Sequence, residues 1–414
     1  MPRLPQHVRD RYTIRSYGLD AEHAPEDFDA DSFISQAVDA LADAGVDGVV
    51  SSSDYPGGLV SAFIAHELGL PAPDPRAVLT CSHKYYSRLA QSMSVPEATP
   101  RFGLLDPAAS AKRDLPLPFP VFVKPVKSWF SQHARRIEDL DELAVYTGSL
   151  DLHRHLTDFV RPFNQLLSRY SDFVVDGGWL LVEEVLVGHQ VTLEAFVSFS
   201  VLHVVGVVDS VMYDDTLSFR HFRYPTAVTQ QVADRMAQIT GRAVAHVGFD
   251  NGLFNIEFMY NSAQDSIHII EINPRMCGQF ADMMESVNGT NTYEVLCAIA
   301  VGEPPPFPYP GGALAVAASF ALRHFADAVV ATVPGREQIE AVKRALPVTL
   351  VTSYYRQGQL LSSSDYNSDG ASYRYAVINV AGDSWQALFH DLEQARGKLG
   401  FRLVDVETPD GALS

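Results

Sequence analysis

Five side chains between residues 255 and 275 have the types and spacing to do chemistry: Asn255, Glu257, Glu271, Asn273 and Arg275. The first two lie in the run LFNIEFMY and the others in IHIIEINPR, with NSAQDS between the runs. Strand-forming residues on both flanks, with Asn, Ser and Asp in the middle, predict a β-hairpin. A hairpin symmetric about Gln264 pairs Glu257 with Glu271 and Asn255 with Asn273. Side chains alternate along a strand, so these four share one face, while Ile256, Phe258, Ile270 and Ile272 point the other way into a core. Two carboxylates directly opposed repel each other. Either one is protonated or a cation lies between them. Carboxylate and amide oxygens are hard ligands suited to magnesium, which takes one or two carboxylates and completes its shell with substrate phosphates. A slip of one residue in register breaks the pair.

The rest of the chain supplies the elements that must position this hairpin. Residues 1–80 read as a small parallel α/β unit. It has a strand over 12–19, a helix over 31–44 with Phe33, Ala37, Leu41 and Ala42 at helical spacing, and a strand over 46–50 entering SSSDYPGG. A second helix over 59–68 stops at Gly69, with Pro71 beyond. After the proline-punctuated LPLPFP come a strand at 121–125, a helical stretch over 150–175, and strands over 179–187 and 190–199 joined at Gly188 and His189. A helix over 229–247 carries Val232, Met236, Ile239 and Ala243 on one side. The proline-rich EPPPFPYPGG from Glu303 is the best linker candidate. Beyond it lie strand-like runs at 313–322, 348–355 and 373–381 and a final helix over 384–399.

Composition narrows the partners. A chain of 414 residues with 47% hydrophobic and 20% charged residues can bury a sizeable core and divide into two or three domains. A net charge of −19 disfavours nucleic acid and anionic membranes, and the largest basic cluster is only Arg135–Arg136. Apolar runs such as 201–208 fall far short of the roughly 18 to 20 residues that cross a bilayer. The N-terminus shows no apolar h-region, and Cys81, Cys277 and Cys297 are spaced neither as a disulfide framework nor as a zinc site. The expected place is the cytoplasm. Small anions would bind through local cations, metal ions or backbone N–H groups.

The pattern N-x-E … E-x-N-P-R resembles the metal-binding hairpin of the ATP-grasp superfamily, particularly its carboxylate–amine ligases. The resemblance runs in order over about residues 80–305. HKYYSRLAQSMSVPEATP is similar to the family's lysine-led helix, which makes Lys84 a phosphate contact. FPVFVKP is similar to its lid strand, whose lysine, Lys124, reaches the ATP phosphates and acts in catalysis. LLVEEVLVGHQVTLEAF is similar to the segment where Glu183, Glu184, Val185 and Leu186 hold adenine largely through backbone and the position of Gln190 holds the ribose. EVLCAIAVGE is similar to the helix that follows the hairpin. The resemblance implies an α/β (α+β) ATP-grasp fold divided as 1–80, 81–308 with a lid at about 118–187, and a small C-terminal subdomain over 309–414. It implies ATP with magnesium, or manganese in its place, on Glu257, Glu271 and Asn273. A carboxylate would become an acyl phosphate, an amine would displace phosphate, and Arg275 would bind the oxyanion or the transferred phosphate.

Two departures stand out. The loop after Lys124, VKSWFSQHARR, has no glycine where the family folds a glycine- and serine-rich loop over phosphates, and bulky Trp129 and Phe130 resist positive φ. Ser128, Ser131 and His133 are the donors left there. Gln190 stands where the family has an acid. Substrate recognition is expected on DSVMYDDTLSFRHFRYP, where Arg220, His221 and Arg223 could hold a carboxylate together with Arg275. The expected partners are small carboxylates and amines, with amino acids as the main class, and a homodimer is compatible. The alternatives are a carboxylase- or formate-using enzyme of the same fold, or a non-catalytic nucleotide-binding protein.

Overall fold

The computed structural model describes residues 4–18, 28–108, 115–129, 131–364 and 367–406. The chain divides into two compact units. The first comprises Met1–Val207, Ala227–Gly278 and Asn291–Pro308; the second comprises Val208–Thr226, Gln279–Thr290 and Tyr309–Ser414. Phe130 lies outside the described residues.

The strands, in chain order, are β1 (Phe102–Leu105), β2 (Val121–Pro125), β3 (Arg135–Ile137), β4 (Leu180–Glu184), β5 (His189–Ser198), β6 (Val201–Met212), β7 (Phe219–Tyr224), β8 (Gly252–Asn261) and β9 (Ser266–Asn273). In the first unit β1, β4, β2 and β3 form a small antiparallel sheet in that order. Its alternating residues Val121, Val123, Leu180 and Val182 bury one face against Leu143 and Leu152 of the helices that follow β3. The other strands of this unit run in the order β6, of which residues 201–207 belong here, then β5, β8 and β9. Val191, Leu193, Phe254, Ile256 and Phe258 from this sheet pack on Phe63, Leu79, Met236 and Phe163 of flanking helices. Gly188, at the entry to β5, has no room for a side chain: a Cβ there would sit 2.4 Å from the Tyr260 carbonyl.

The helices begin where capping chemistry allows. Asp29 accepts from Ser32 N–H at the start of Ala30–Ala44, and Thr229 accepts from Val232 N–H at the start of Gln230–Val247. His83 caps Lys84–Ser94 through its ring nitrogen. Among the described residues no helix is long and apolar enough to cross a membrane.

The expected strands over 12–18 and 46–50 do not form, so the described residues of 1–80 hold no parallel sheet, and the sheets that form later in the chain are antiparallel. A strand is stable only with a neighbour to take its N–H and C=O groups, and among the described residues none pairs with either segment. The second lies against another element: a Cβ on Gly48 would meet the Ala300 carbonyl at 2.6 Å. The helical stretch over 150–175 is broken by a wide π-type turn, His155–Phe159, between Leu150–Arg154 and Arg161–Tyr170.

The hairpin register holds through its functional half. Asn255 pairs with Asn273, Ile256 with Ile272 and Glu257 with Glu271. Beyond Glu257 the ladder shifts, and Phe258 faces Ile269. Ile270 is the extra residue of a β-bulge. It is therefore only partly buried, and Ile269 takes the core place that simple symmetry assigns to Ile270.

The second unit contains β7 with β10 (Val316–His324), β11 (Ala328–Thr332), β12 (Val348–Ser353), β13 (Tyr373–Gly382) and β14 (Arg402–Asp405). Its main strands run β12, β13, β10, β7, with Phe320, Ile378 and Val380 buried under Leu388, Leu392 and Leu399 of the helix Trp385–Leu399. The three strand-like runs and last helix expected beyond residue 309 are all present.

Candidate active site

The four polar hairpin residues meet on one face of the first unit. Asn273 Nδ2 lies 3.0 Å from Asn255 Oδ1, 3.3 Å from Glu257 Oε1 and 3.5 Å from Glu271 Oε1. Gln190, expected at a ribose, donates its amide to Glu257 Oε2 at 2.8 Å from the neighbouring strand β5. Lys84 Nζ stands 3.3 Å from Glu271 Oε2. Burial, then the negative charge of Glu271, raises the pKa of Glu257. Burial acts the same way on Glu271, but Lys84 and Lys124 outweigh it and hold that carboxylate below its usual range. The pair thus has one carboxylate kept charged and one inclined to keep a proton, as expected where a cation would relieve both.

The donor set suits such a cation. Among the described residues no three His, Cys, Asp or Glu cluster as a closed metal site. Two carboxylates with an amide match a magnesium ion that draws its remaining oxygens from water and phosphate.

The bulge at Ile270 has a second effect. Its carbonyl, left out of the ladder, accepts from Arg88 Nη2 at 2.7 Å and Lys124 Nζ at 3.2 Å. Both cations also reach Glu183, Arg88 through Nε and Lys124 at 2.7 Å. Arg88, Lys124 and Glu183 are all buried. Burial lowers the pKa of Lys124 and the Glu183 charge opposes it. The Glu183 side chain therefore sits in an internal ion cluster. Glu184 binds Arg101 through its carboxylate and gives its own N–H to the Arg101 carbonyl at 3.1 Å. Val185 and Leu186 follow the end of β4 and are partly buried. Sequence reasoning passed over Arg88, although it falls four residues after Lys84 and so on the same helix face.

Arg275 does not pair with the hairpin carboxylates. Its Nη2 binds Asp54 Oδ2 at 2.5 Å, from the SSSDYPGG turn. The pairing of Asp54 with Arg275 was not foreseen, because the two lie 221 residues apart and nothing in either segment points to the other. Nearby, Glu194 is 1% exposed; its Oε1 accepts from Asn255 Nδ2 and Cys277 N–H, and burial lifts its pKa to about 8 against the pull of Arg275.

The loop after Lys124 is held down by aromatic packing. Trp129 lies edge-on to Tyr55 at 6.1 Å and to Phe159 at 5.1 Å, and its Nε1 donates to Gln132 Oε1. Without glycine, positive φ falls on Ser131 (57°) and His133 (58°). In the second unit, Arg220 and Arg223 lie on opposite faces of β7. Arg223 binds the fully buried Asp209 at 2.8 Å, while Arg220 is exposed with its guanidinium 5.9 Å from the Tyr213 ring. His221 shares the Arg223 face and is buried.

Residues 117–283 match the family model of the ATP-grasp domain. The ATP-grasp enzyme fsqD of Aspergillus fumigatus is 23% identical over 62% of this chain, a stretch that spans about half (46%) of that protein. Among solved structures, the L-amino acid ligase of Bacillus licheniformis superposes with a TM-score of 0.69 at 16% identity, over 92% of this chain and 86% of that one. A biotin carboxylase of Campylobacter jejuni gives 0.60 at 14% identity, over 90% and 79%. A phosphoribosylglycinamide synthetase of Anaerococcus prevotii gives 0.59 at 14%, over 98% and 92%. The chain has the ATP-grasp fold and carries an ATP-grasp domain over residues 117–283.

Proposed function

We propose that this protein is an ADP-forming ligase that joins a carboxylic acid, with amino acids as the substrate class, to an amine through an acyl phosphate. The observation that carries the reading is the opposed pair Glu257 and Glu271, with Lys84 on one of them and Arg275 two residues beyond Asn273. Magnesium or manganese held by these carboxylates and the Asn273 amide would neutralise the phosphates and the charge that builds during transfer. Lys84 and Lys124 are the cations proposed for the phosphates. The backbone of Val185 and Leu186, beyond Glu183 and Glu184, is proposed for adenine, and the Gln190 carbonyl for a ribose hydroxyl.

In the first half-reaction a substrate carboxylate oxygen attacks the γ-phosphorus, and the bond to the β-phosphate oxygen breaks to release ADP. The amine then attacks the acyl carbon, and phosphate leaves with the electrons of the C–O bond. Arg275, oriented by Asp54, is proposed to stabilise the oxyanion of that step. In the second unit, Arg220 has an exposed guanidinium, whereas Arg223 is already paired with Asp209. The three cysteines are free thiols, which fits a reducing cytoplasm.

The test is a screen of purified protein with Mg–ATP and pairs of amino acids, read by mass spectrometry. ADP, phosphate and a condensed product should appear only when acid and amine are both present. AMP as product, or turnover with bicarbonate or formate and no amine, would overturn the reading. A non-catalytic nucleotide-binding role is favoured by one observation, the tightly packed glycine-free loop at Trp129. Magnesium-dependent ATP binding with no turnover over a broad panel would decide for it.

A further inference from the structure

Lys127 is a buried cation that the scheme above leaves without a task. Its side chain is recessed (6% exposed), and among the described residues its ammonium makes no hydrogen bond or ion pair. It rests instead on two aromatic faces, Tyr55 at 4.7 Å and Phe163 at 5.3 Å. Those faces recover only part of the solvation that a buried ammonium gives up. Its three N–H donors have no protein acceptor among the described residues and are free to meet a ligand.

An ammonium is satisfied by oxygen acceptors, most strongly by charged ones. Asp54, Lys84, Glu271 and Arg275 are among the charges that act on Lys127. The charges on either side also fix the place. Glu271 lies on the carboxylate hairpin with Lys84 paired to it from the helix Lys84–Ser94, and Asp54 with Arg275 forms the neighbouring pair. Lys127 feels both.

The loop that follows spends part of its donors on itself. Gln132 N–H donates to the Trp129 carbonyl and Ala134 N–H to the Ser131 carbonyl, while Ser128 Oγ donates to the Gln132 carbonyl at 3.0 Å. These donors are turned inward. His155 Nε2 meets the Lys127 carbonyl at 3.1 Å and steadies the residue from behind.

We propose that Lys127 binds the terminal phosphoryl group of the nucleotide, donating its unmet N–H groups to that group's oxygens beside a glycine-free loop that turns two of its backbone donors inward. This rests on the nucleotide reading given above. A substrate carboxylate could satisfy the same ammonium, and the test separates the two.

The experiment is calorimetric titration of wild type and Lys127→Met with two probes, the magnesium complexes of ADP and of the β,γ-imido analogue of ATP. Methionine keeps the stem over Tyr55 and Phe163 and removes the charge. The analogue should bind about tenfold more weakly to the variant, as loss of a charge-assisted hydrogen bond predicts, with ADP binding changed less than about twofold. Lys127→Arg should restore most of the difference. No loss for the analogue, or an equal loss for both nucleotides, overturns the assignment while leaving the nucleotide site in place. Wild type that binds neither probe removes the underlying reading together with this one. Should the methionine variant not fold, Lys127→Gln carries the same comparison.

Discussion

Glu257 and Glu271 stand directly opposite each other on β8 and β9, yet only Glu271 has a lysine at hydrogen-bonding distance. The asymmetry comes from β9 lying nearer Lys84, while Glu257 is reached by the neutral amide of Gln190. One carboxylate is held charged, and its partner is pushed toward its protonated form by burial and that charge.

The two glutamines should therefore behave differently. Glu257→Gln removes a repulsion and should leave metal-free stability unchanged or raise it by up to about 1 kcal/mol. Glu271→Gln strips Lys84 of its partner and should cost about 1–3 kcal/mol. Both should lose magnesium-dependent turnover. Urea denaturation without and with magnesium reads the difference, and equal destabilisation by the two variants would contradict the asymmetry.

Stability of the metal-free protein should fall as pH rises above the ordinary carboxylate range. Glu194 is the clearest source, with its pKa raised from 4.5 to about 8 by burial. Between those values the folded state holds a proton that the unfolded chain has released, so rising pH favours unfolding. The contribution is complete below pH 4.5 and gone above about 8, and Glu257 acts in the same direction. Glu271, with a lowered pKa, acts oppositely, losing its contribution as pH falls below the ordinary range. Glu194→Gln should flatten the slope, gaining on the order of 2 kcal/mol at pH 8 relative to pH 5. Denaturation midpoints across that range check it, and a slope unchanged in the variant removes Glu194 as the cause.

The cluster of Arg88, Lys124 and Glu183 sets an order of costs. Glu183→Gln leaves two buried cations side by side and should destabilise by about 3–5 kcal/mol. Arg88→Met leaves the Lys124–Glu183 pair intact at 2.7 Å and should cost less. A reversed order in chemical denaturation would show that the hydrogen bonds Arg88 donates to the Ile270 carbonyl and to Gln91 Oε1 matter more than its charge on Glu183.

Ser131 holds a φ of 57° in the loop after β2 and is exposed, so it makes a clean test of backbone strain. Ser131→Gly should stabilise by about 0.5–1 kcal/mol, since glycine adopts that conformation without a Cβ clash. Equilibrium unfolding measures it. A loss of stability would mean that the added freedom of glycine in the unfolded chain outweighs the relief.

The sequence by itself determined the hairpin and the residues on its polar face. That is local information: alternation fixes the face, and the turn at 261–266 fixes which residues oppose, as the pairing of Glu257 with Glu271 bears out. It also determined the helices at 31–44, 229–247 and 384–399, whose caps and apolar spacing lie within single segments. Tertiary structure decided the rest. The strands read into 12–18 and 46–50 had the right residues and, among the described residues, no neighbour to pair with. The bulge at Ile270 depends on a carbonyl that meets Arg88 and Lys124 from distant segments. Asp54 on Arg275, Arg88 on Glu183 and the burial of Lys127 join residues at separations that no periodicity reports. A pattern of apolar residues says which face turns inward; which charge then meets it is fixed only when the elements pack.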